Sequence, residues 1–206
     1  MLKLHGRLRS NYYNAVKAVL IEKQIDFEEV IQPVPPPEQY LALSPTGKIP
    51  CLETEHGPLT EAAVIIEYLE AVYPEHPLSP ADPFAKAKMF ELMKHMELYV
   101  EWAARRGYGV LRGEGTAEHD KQEVGERLSK ATTELNPMLS FSPWIMGETF
   151  TAADIYAYYM FVYAALSAKA NADMDLWAAL PGSEEWLTQI KAHPTMQRVI
   201  DEAKNG

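Results

Sequence analysis

Along the chain the spacing of hydrophobic and polar positions changes several times before residue 75 and then settles on a helical period. Leu2 and Leu4 alternate with Lys3 and His5, which predicts a short strand. From Tyr12 the period lengthens: Val16, Val19 and Leu20 share one helical face, with Lys17, Glu22 and Lys23 off it. Phe27 to Ile31 is again strand-like. Pro33-Val34-Pro35-Pro36-Pro37 imposes a stiff, extended loop. A loop leading into a short helix over Glu38–Leu43 explains this run better than a ligand for a proline-binding partner. A turn at Ser44-Pro45-Thr46-Gly47 precedes Lys48–Leu52, a strand pattern interrupted by proline. His56-Gly57-Pro58 connects to one more short strand. Thr60 then caps a helix that carries Ala62, Ile65, Ile66, Leu69 and Val72 on one face. The predicted order is βαβαββα, a small α/β layer structure.

Beyond the proline-rich linker Glu75–Pro83 the strand signals stop. Helical patterns run over Phe84–Arg106, Glu118–Leu139, Asp154–Ala168, Ser183–Ala192 and Thr195–Lys204. The third is so rich in apolar and aromatic residues that it should lie at the centre of its domain. The expectation is an α+β protein of two domains, an α/β domain over 1–76 and an all-helical domain over 84–206.

Composition narrows the function. Nineteen Lys+Arg against 29 Asp+Glu give a net charge of −10, the wrong sign for tracking nucleic-acid phosphates or anionic membrane. One cysteine, Cys51, excludes an intrachain disulfide framework or a CxxC pair, and reads as a small buried apolar residue. Neither a signal-peptide pattern at Met1–His5 nor a run of about 20 apolar residues is present, so a cytoplasmic protein is expected. The six histidines share no metal-ligand spacing, and no metal is expected. Gly107-Tyr108-Gly109 with Gly113 and Gly115 lacks the GxGxxG spacing and reads as a loop, and no G-x-S-x-G elbow occurs.

Three short segments remain that could carry chemistry. Ser10, in Arg9-Ser10-Asn11-Tyr12, falls where the first helix starts. There a hydroxyl either caps the helix or helps its unpaired amides hold a negative charge. Lys3, Arg7, Arg9 and Lys17 all precede the first acidic residue, Glu22, and form a local basic edge suited to a small anion or simply a solvated face. In Lys48-Ile49-Pro50 a cis Ile49–Pro50 bond would turn the Ile49 backbone groups towards a bound peptide. Glu61 begins the helix after the last strand, where a carboxylate either complements the dipole or grips an ammonium group. In the helical half, Gly147–Asp154 contains a capping box, Thr151 with Asp154, and a staple, Phe150 with Ile155, which position the central helix and do no chemistry.

Taken as a set, these segments resemble the glutathione transferase family over the full chain. Arg9-Ser10 is similar to the serine motif of the zeta class, so the nearest resemblance is to serine-type, zeta- or theta-like bacterial members. Ser44–Pro50 is similar to the Asn-Pro-x-Gly-Lys-Val-Pro segment of the family, Thr60-Glu61-Ala62 to its Glu/Gln-Ser segment, and Gly147–Asp154 to its capping segment. The resemblance implies a thioredoxin-like domain that binds glutathione, an all-helical domain that supplies an electrophile pocket, and a homodimer. Ser10 would activate the thiol, with Asn11 and Tyr12 as alternates. Lys48, Ile49, Pro50, Glu61 and Ala62 would bind glutathione, and Tyr99, Trp102, Arg106 and Tyr108 would line the electrophile pocket. Glutathione is the co-substrate implied, with a small electrophile as the other partner.

Two departures qualify that expectation. Ala62 stands where the family usually has serine, and Asn11-Tyr12 where the zeta motif continues Ser-Cys. Tyrosine-type classes place their tyrosine where this chain has Gly6, so that mechanism is not expected. The alternatives are a binding or regulatory protein on the same fold without turnover, and a glutathione-dependent isomerase or peroxidase.

Overall fold

The computed structural model describes residues 1–115 and 117–205. The chain divides into two compact units, Met1–Pro80 together with Lys191–Gly206, and Ala81–Ile190.

In the first unit β1 (Leu2–Gly6), α1 (Asn11–Glu22), β2 (Phe27–Ile31), a 3₁₀ turn (Glu38–Ala42), β3 (Cys51–Thr54), β4 (Gly57–Thr60) and α2 (Ala62–Val72) follow the expected order. The sheet runs β2-β1-β3-β4, with β1 parallel to β2 and the other pairs antiparallel. β3 begins only after Pro50, which cannot donate to the ladder. The cap of α2 is Glu61 rather than Thr60, and it makes no side-chain capping bond.

Lys17 and Lys23, placed off the apolar face by periodicity, are both buried. α1 is covered on its outer side by the C-terminal helix α9 (Pro194–Asn205), which puts that helix with the α/β unit rather than with the rest of 84–206. Lys17 reaches Glu29 at 2.7 Å and Glu202 of α9 at 2.5 Å. Thr195 donates to Glu22 at 2.5 Å at the other end of the same helix pair. Amphipathic α9 contributes Met196 and Val199 to this seam. Its pattern was legible, but its docking partner was not.

Lys23 and Glu70 pair at 2.7 Å with almost no solvent exposure. The second Glu70 oxygen accepts from Ser79 Oγ at 2.5 Å, and the Leu78 N–H lies 3.1 Å from each carboxylate oxygen. Lys23 also donates to the His76 carbonyl at 3.2 Å. One ion pair thus ties the end of α1, the end of α2 and the chain that leaves them.

The second unit is helical. The predicted helix over Phe84–Arg106 is three segments: α3 (Pro83–His95), a π-helical stretch (Met96–Glu101) and α4 (Trp102–Arg105). In the widened stretch Glu97 and Glu101 are buried; Tyr156 donates to Glu97 at 3.1 Å, and Arg105 pairs with Glu101. α5 (Tyr108–Leu111) and α6 (Glu118–Leu135) follow, the latter ending in a 3₁₀ turn (Asn136–Met138). α7 (Ala152–Ala172) is the predicted central helix, and its first ten residues are all buried. α8 (Ser183–Ala192) packs Trp186 against the Phe161 ring of α7. Among the described residues no helix is long and apolar enough to cross a membrane.

The capping box at the start of α7 is formed, and it reaches further than the sequence indicated. Asp154 accepts from the Thr151 N–H at 2.9 Å, and its other oxygen accepts from the Ile145 N–H at 2.8 Å and from Trp186 Nε1 at 2.9 Å. Burial pushes its carboxyl above the usual carboxylate range, and these donors oppose the rise. The Phe150 ring meets Trp144, edge to face at 4.8 Å.

Candidate active site

Strand register brings the three sequence segments to one edge of the sheet. His5 of β1 faces Cys51 of β3, and Cys51 faces Thr60 of β4. The end of β1, the start of β3 and the end of β4 are therefore neighbours. The chain continues from them into Ser10, comes out of Ile49–Pro50, and continues into Glu61. Both α1 and α2 start at this edge, so two sets of unpaired amides and two dipole ends converge there.

Ser10 is the N-cap of α1, with extended backbone angles, and its Oγ accepts from the Tyr13 N–H at 3.3 Å. That bond uses an oxygen lone pair and leaves the hydroxyl proton available to donate. Asn11 is buried and Tyr12 half-buried in the first turn. Tyr13 is fully buried, and its hydroxyl donates to Glu29. Burial, with the neighbouring Glu29 carboxylate, pushes its phenol far up and keeps it neutral.

Tyr13 also explains Gly6. A Cβ at position 6 would lie 1.9 Å from the Tyr13 ring. The tyrosine-type mechanism thus has no room for a side chain at that position. Gly6→Ala should cost at least about 1–3 kcal/mol, because backbone or ring must shift. Denaturant unfolding of the purified variant checks it, and an unchanged midpoint would show that the ring yields freely.

Ile49–Pro50 is cis. Lys48 is exposed and Pro50 buried. Cys51, next in the chain, is buried; its Sγ lies 3.6 Å from the Leu43 carbonyl, and burial pushes its thiol up to about 11. It is a neutral core group, as expected, and no substitute for a nucleophile.

Glu61 is exposed and has φ +67°, a region that costs a residue with a Cβ about 1–2 kcal/mol. This conformation turns the chain from β4 into α2, so that Glu61 immediately precedes the first amides of α2. Ala62, at the first helical position, is buried and brings no hydroxyl. Glu61→Gly should gain about 1 kcal/mol of stability while weakening binding of an ammonium-bearing ligand. Thermal unfolding and ligand titration of the variant read the two effects separately, and a loss of stability would remove the strain argument.

The basic edge read from the sequence is largely spent on internal pairing. Lys17 is buried with two carboxylates, Lys3 pairs with Glu53 at 3.3 Å, and Arg7 donates to the Gln32 and Pro33 carbonyls at 3.1 and 2.7 Å. Three of the four cations of that edge are therefore already bonded within the chain.

The four residues expected in an electrophile pocket lie within one stretch of the helical unit, from the π-helical turn to α5. Tyr99 is exposed and lies edge-on to His95, with ring centres 5.2 Å apart. With Ala131, Glu134 and Leu135 these two line a cavity of about 280 Å³. Trp102 is half-exposed. Arg106 pairs with Glu123 at 2.9 Å, and Arg105 with Glu101. Tyr108 lies under Arg105 and beside Tyr163, and burial pushes its phenol up. A second cavity, about 550 Å³, belongs to the α/β unit but opens at the opposite end of the sheet, between Leu2, Ile25, Tyr68 and His76.

A thioredoxin-like sheet with a hydroxyl at the first helix, a cis-proline before the third strand, and a helical unit after it define the architecture of the glutathione transferases. Residues 4–77 match the family model "Glutathione S-transferase, N-terminal domain". A glutathione S-transferase of Pseudomonas putida is 38% identical over 97% of this chain and 91% of its own length. Glutathione transferase F2 of Populus trichocarpa superposes with a TM-score of 0.84 at 19% identity, each chain fully covered. A glutathione transferase homologue from Sulfitobacter, crystallised with bound glutathione, superposes with a TM-score of 0.81 at 23% identity over 98% of both chains. The chain belongs to the glutathione S-transferase family and is an enzyme of it.

Proposed function

We propose that this protein binds glutathione along the edge formed by Ser10, Ile49–Pro50 and Glu61, and activates its thiol as a thiolate for attack on a small electrophile. The observation that carries the reading is the Ser10 hydroxyl, which accepts from the Tyr13 amide and so keeps its own proton for a sulfur. Asn11 and Tyr12 stand beside it as alternative donors. Raising the ratio of thiolate to thiol a hundredfold takes about 2.7 kcal/mol. One hydrogen bond to a charged sulfur, about 1.5–3 kcal/mol, and a helix N-terminus, about 0.3–1 kcal/mol, supply that amount. No metal enters this chemistry.

Glu61 takes the γ-glutamyl ammonium, the first amides of α2 at Ala62 take the adjacent carboxylate, Ile49 pairs with the cysteinyl backbone, and Lys48 faces the glycine carboxylate. The helical unit supplies the electrophile pocket through Tyr99, Trp102, Arg106 and Tyr108. The protein acts as a cytoplasmic homodimer.

A crystal soaked in glutathione tests the site: the sulfur should lie within about 3.5 Å of Ser10 Oγ. A panel of electrophiles tests the reaction. Glutathione bound there without conjugation, isomerisation or peroxide reduction would instead favour the binding-protein reading, for which the missing hydroxyl at Ala62 is the structural argument.

A further inference from the structure

The Lys48 carbonyl accepts two hydroxyl bonds, from Tyr40 OH at 2.8 Å and from Ser44 Oγ at 2.8 Å. Both donors are buried, and the mechanism above uses neither. One donor would satisfy a carbonyl; two engage both lone pairs and fix its direction. The donors are themselves held: the Ser44 N–H binds the Tyr40 carbonyl at 2.9 Å, the Gly47 N–H binds the Ser44 carbonyl at 2.8 Å, and the Tyr40 ring lies 5.9 Å from that of His5.

The Lys48–Ile49 peptide is trans. In a planar trans peptide the N–H points opposite to the C=O. With the Lys48 oxygen drawn to the two hydroxyls, the Ile49 N–H points away from them. Among the described residues no group accepts from that N–H. A backbone donor aimed outward beside Pro50, at the edge shared with Ser10 and Glu61, calls for a backbone carbonyl on the ligand.

We infer that Tyr40 and Ser44 are positioning residues for the peptide portion of the substrate, clamping the Lys48–Ile49 peptide plane so that the Ile49 N–H meets the cysteinyl carbonyl of glutathione. This rests on the reading proposed above. It adds a specificity element: the clamp distinguishes a peptide thiol from a simple one, whereas Ser10 acts on either.

Steady-state kinetics of the full-length Tyr40→Phe and Ser44→Ala variants test it, with glutathione and with 2-mercaptoethanol, a thiol that has no peptide group. Each variant should raise the KM for glutathione about three- to tenfold, hold kcat at saturation within about twofold, and leave the 2-mercaptoethanol rate unchanged. A general loss of structure would lower both rates together and would overturn the inference. So would a glutathione KM that stays within twofold. Should either variant fail to fold, amide exchange in the wild type decides: saturating glutathione should slow exchange at Ile49 at least tenfold, and unaltered exchange would overturn the clamp. If the wild type binds no glutathione at all, the proposed function fails and the clamp with it. If it binds and only the clamp results are negative, the proposed function stands.

Discussion

Ser10→Ala is expected to lower kcat/KM for glutathione conjugation about 10- to 150-fold, the loss of one charge-assisted hydrogen bond of about 1.5–3 kcal/mol. The sulfur would keep the helix dipole but lose the Ser10 hydroxyl, so the rate should recover partly as pH rises and solvent deprotonates the thiol. The rising limb of the pH–rate profile therefore moves to higher pH. Ser10 is also the N-cap of α1, which creates a confounding effect: alanine removes the acceptor for the Tyr13 amide and costs about 1 kcal/mol of stability. Ser10→Gly separates the two roles, because glycine is a tolerable cap at a cost of a few tenths of a kcal/mol and has no hydroxyl. Both variants should lose activity equally, while only the alanine variant loses measurable stability. Unchanged turnover and an unmoved pH profile would pass the thiol to Asn11 or Tyr12.

Lys23→Met is expected to destabilise the α/β unit by about 3–5 kcal/mol, because it strands the Glu70 carboxylate in the interior. For a chain of this size that is a fall in Tm of about 6–20 °C. The loss is larger than for a surface pair, for which water would take the place of the missing partner. Glu70 would keep Leu78 N–H and Ser79 Oγ but no countercharge. The double replacement Lys23→Met with Glu70→Leu should recover part of the loss, since no buried charge is then left alone. A Tm within about 2 °C of wild type for Lys23→Met would show that water reaches Glu70 and that the pair is not a true interior contact.

The edge that gathers Ser10, Pro50 and Glu61 was legible because each segment carries a local signal. A hydroxyl precedes a helix, a proline interrupts a strand, and a carboxylate opens the next helix. Three features carried no such signal. Glu61 at φ +67° cannot be read from a residue type that avoids that region. The double donation from Tyr40 and Ser44 onto Lys48 joins residues whose types fit a loop equally well. The π-helical stretch over Met96–Glu101 interrupts a pattern that reads as continuous helix, and Glu97 and Glu101 within it are buried.

By itself the sequence determined the order of strands and helices, the central position of α7, the cap at Thr151 and Asp154, and the family. The elements and the cap follow from contacts within a few residues, where spacing decides which groups can meet, and the family from the resemblance of its motifs taken together. Tertiary structure decided the fate of the charges. Whether Lys17 and Lys23 face water or a carboxylate depends on Glu202 and Glu70, which lie 185 and 47 residues away in the chain. A charged side chain is tolerated inside only where a partner from another element arrives to meet it, and helical period carries no information about which element that will be.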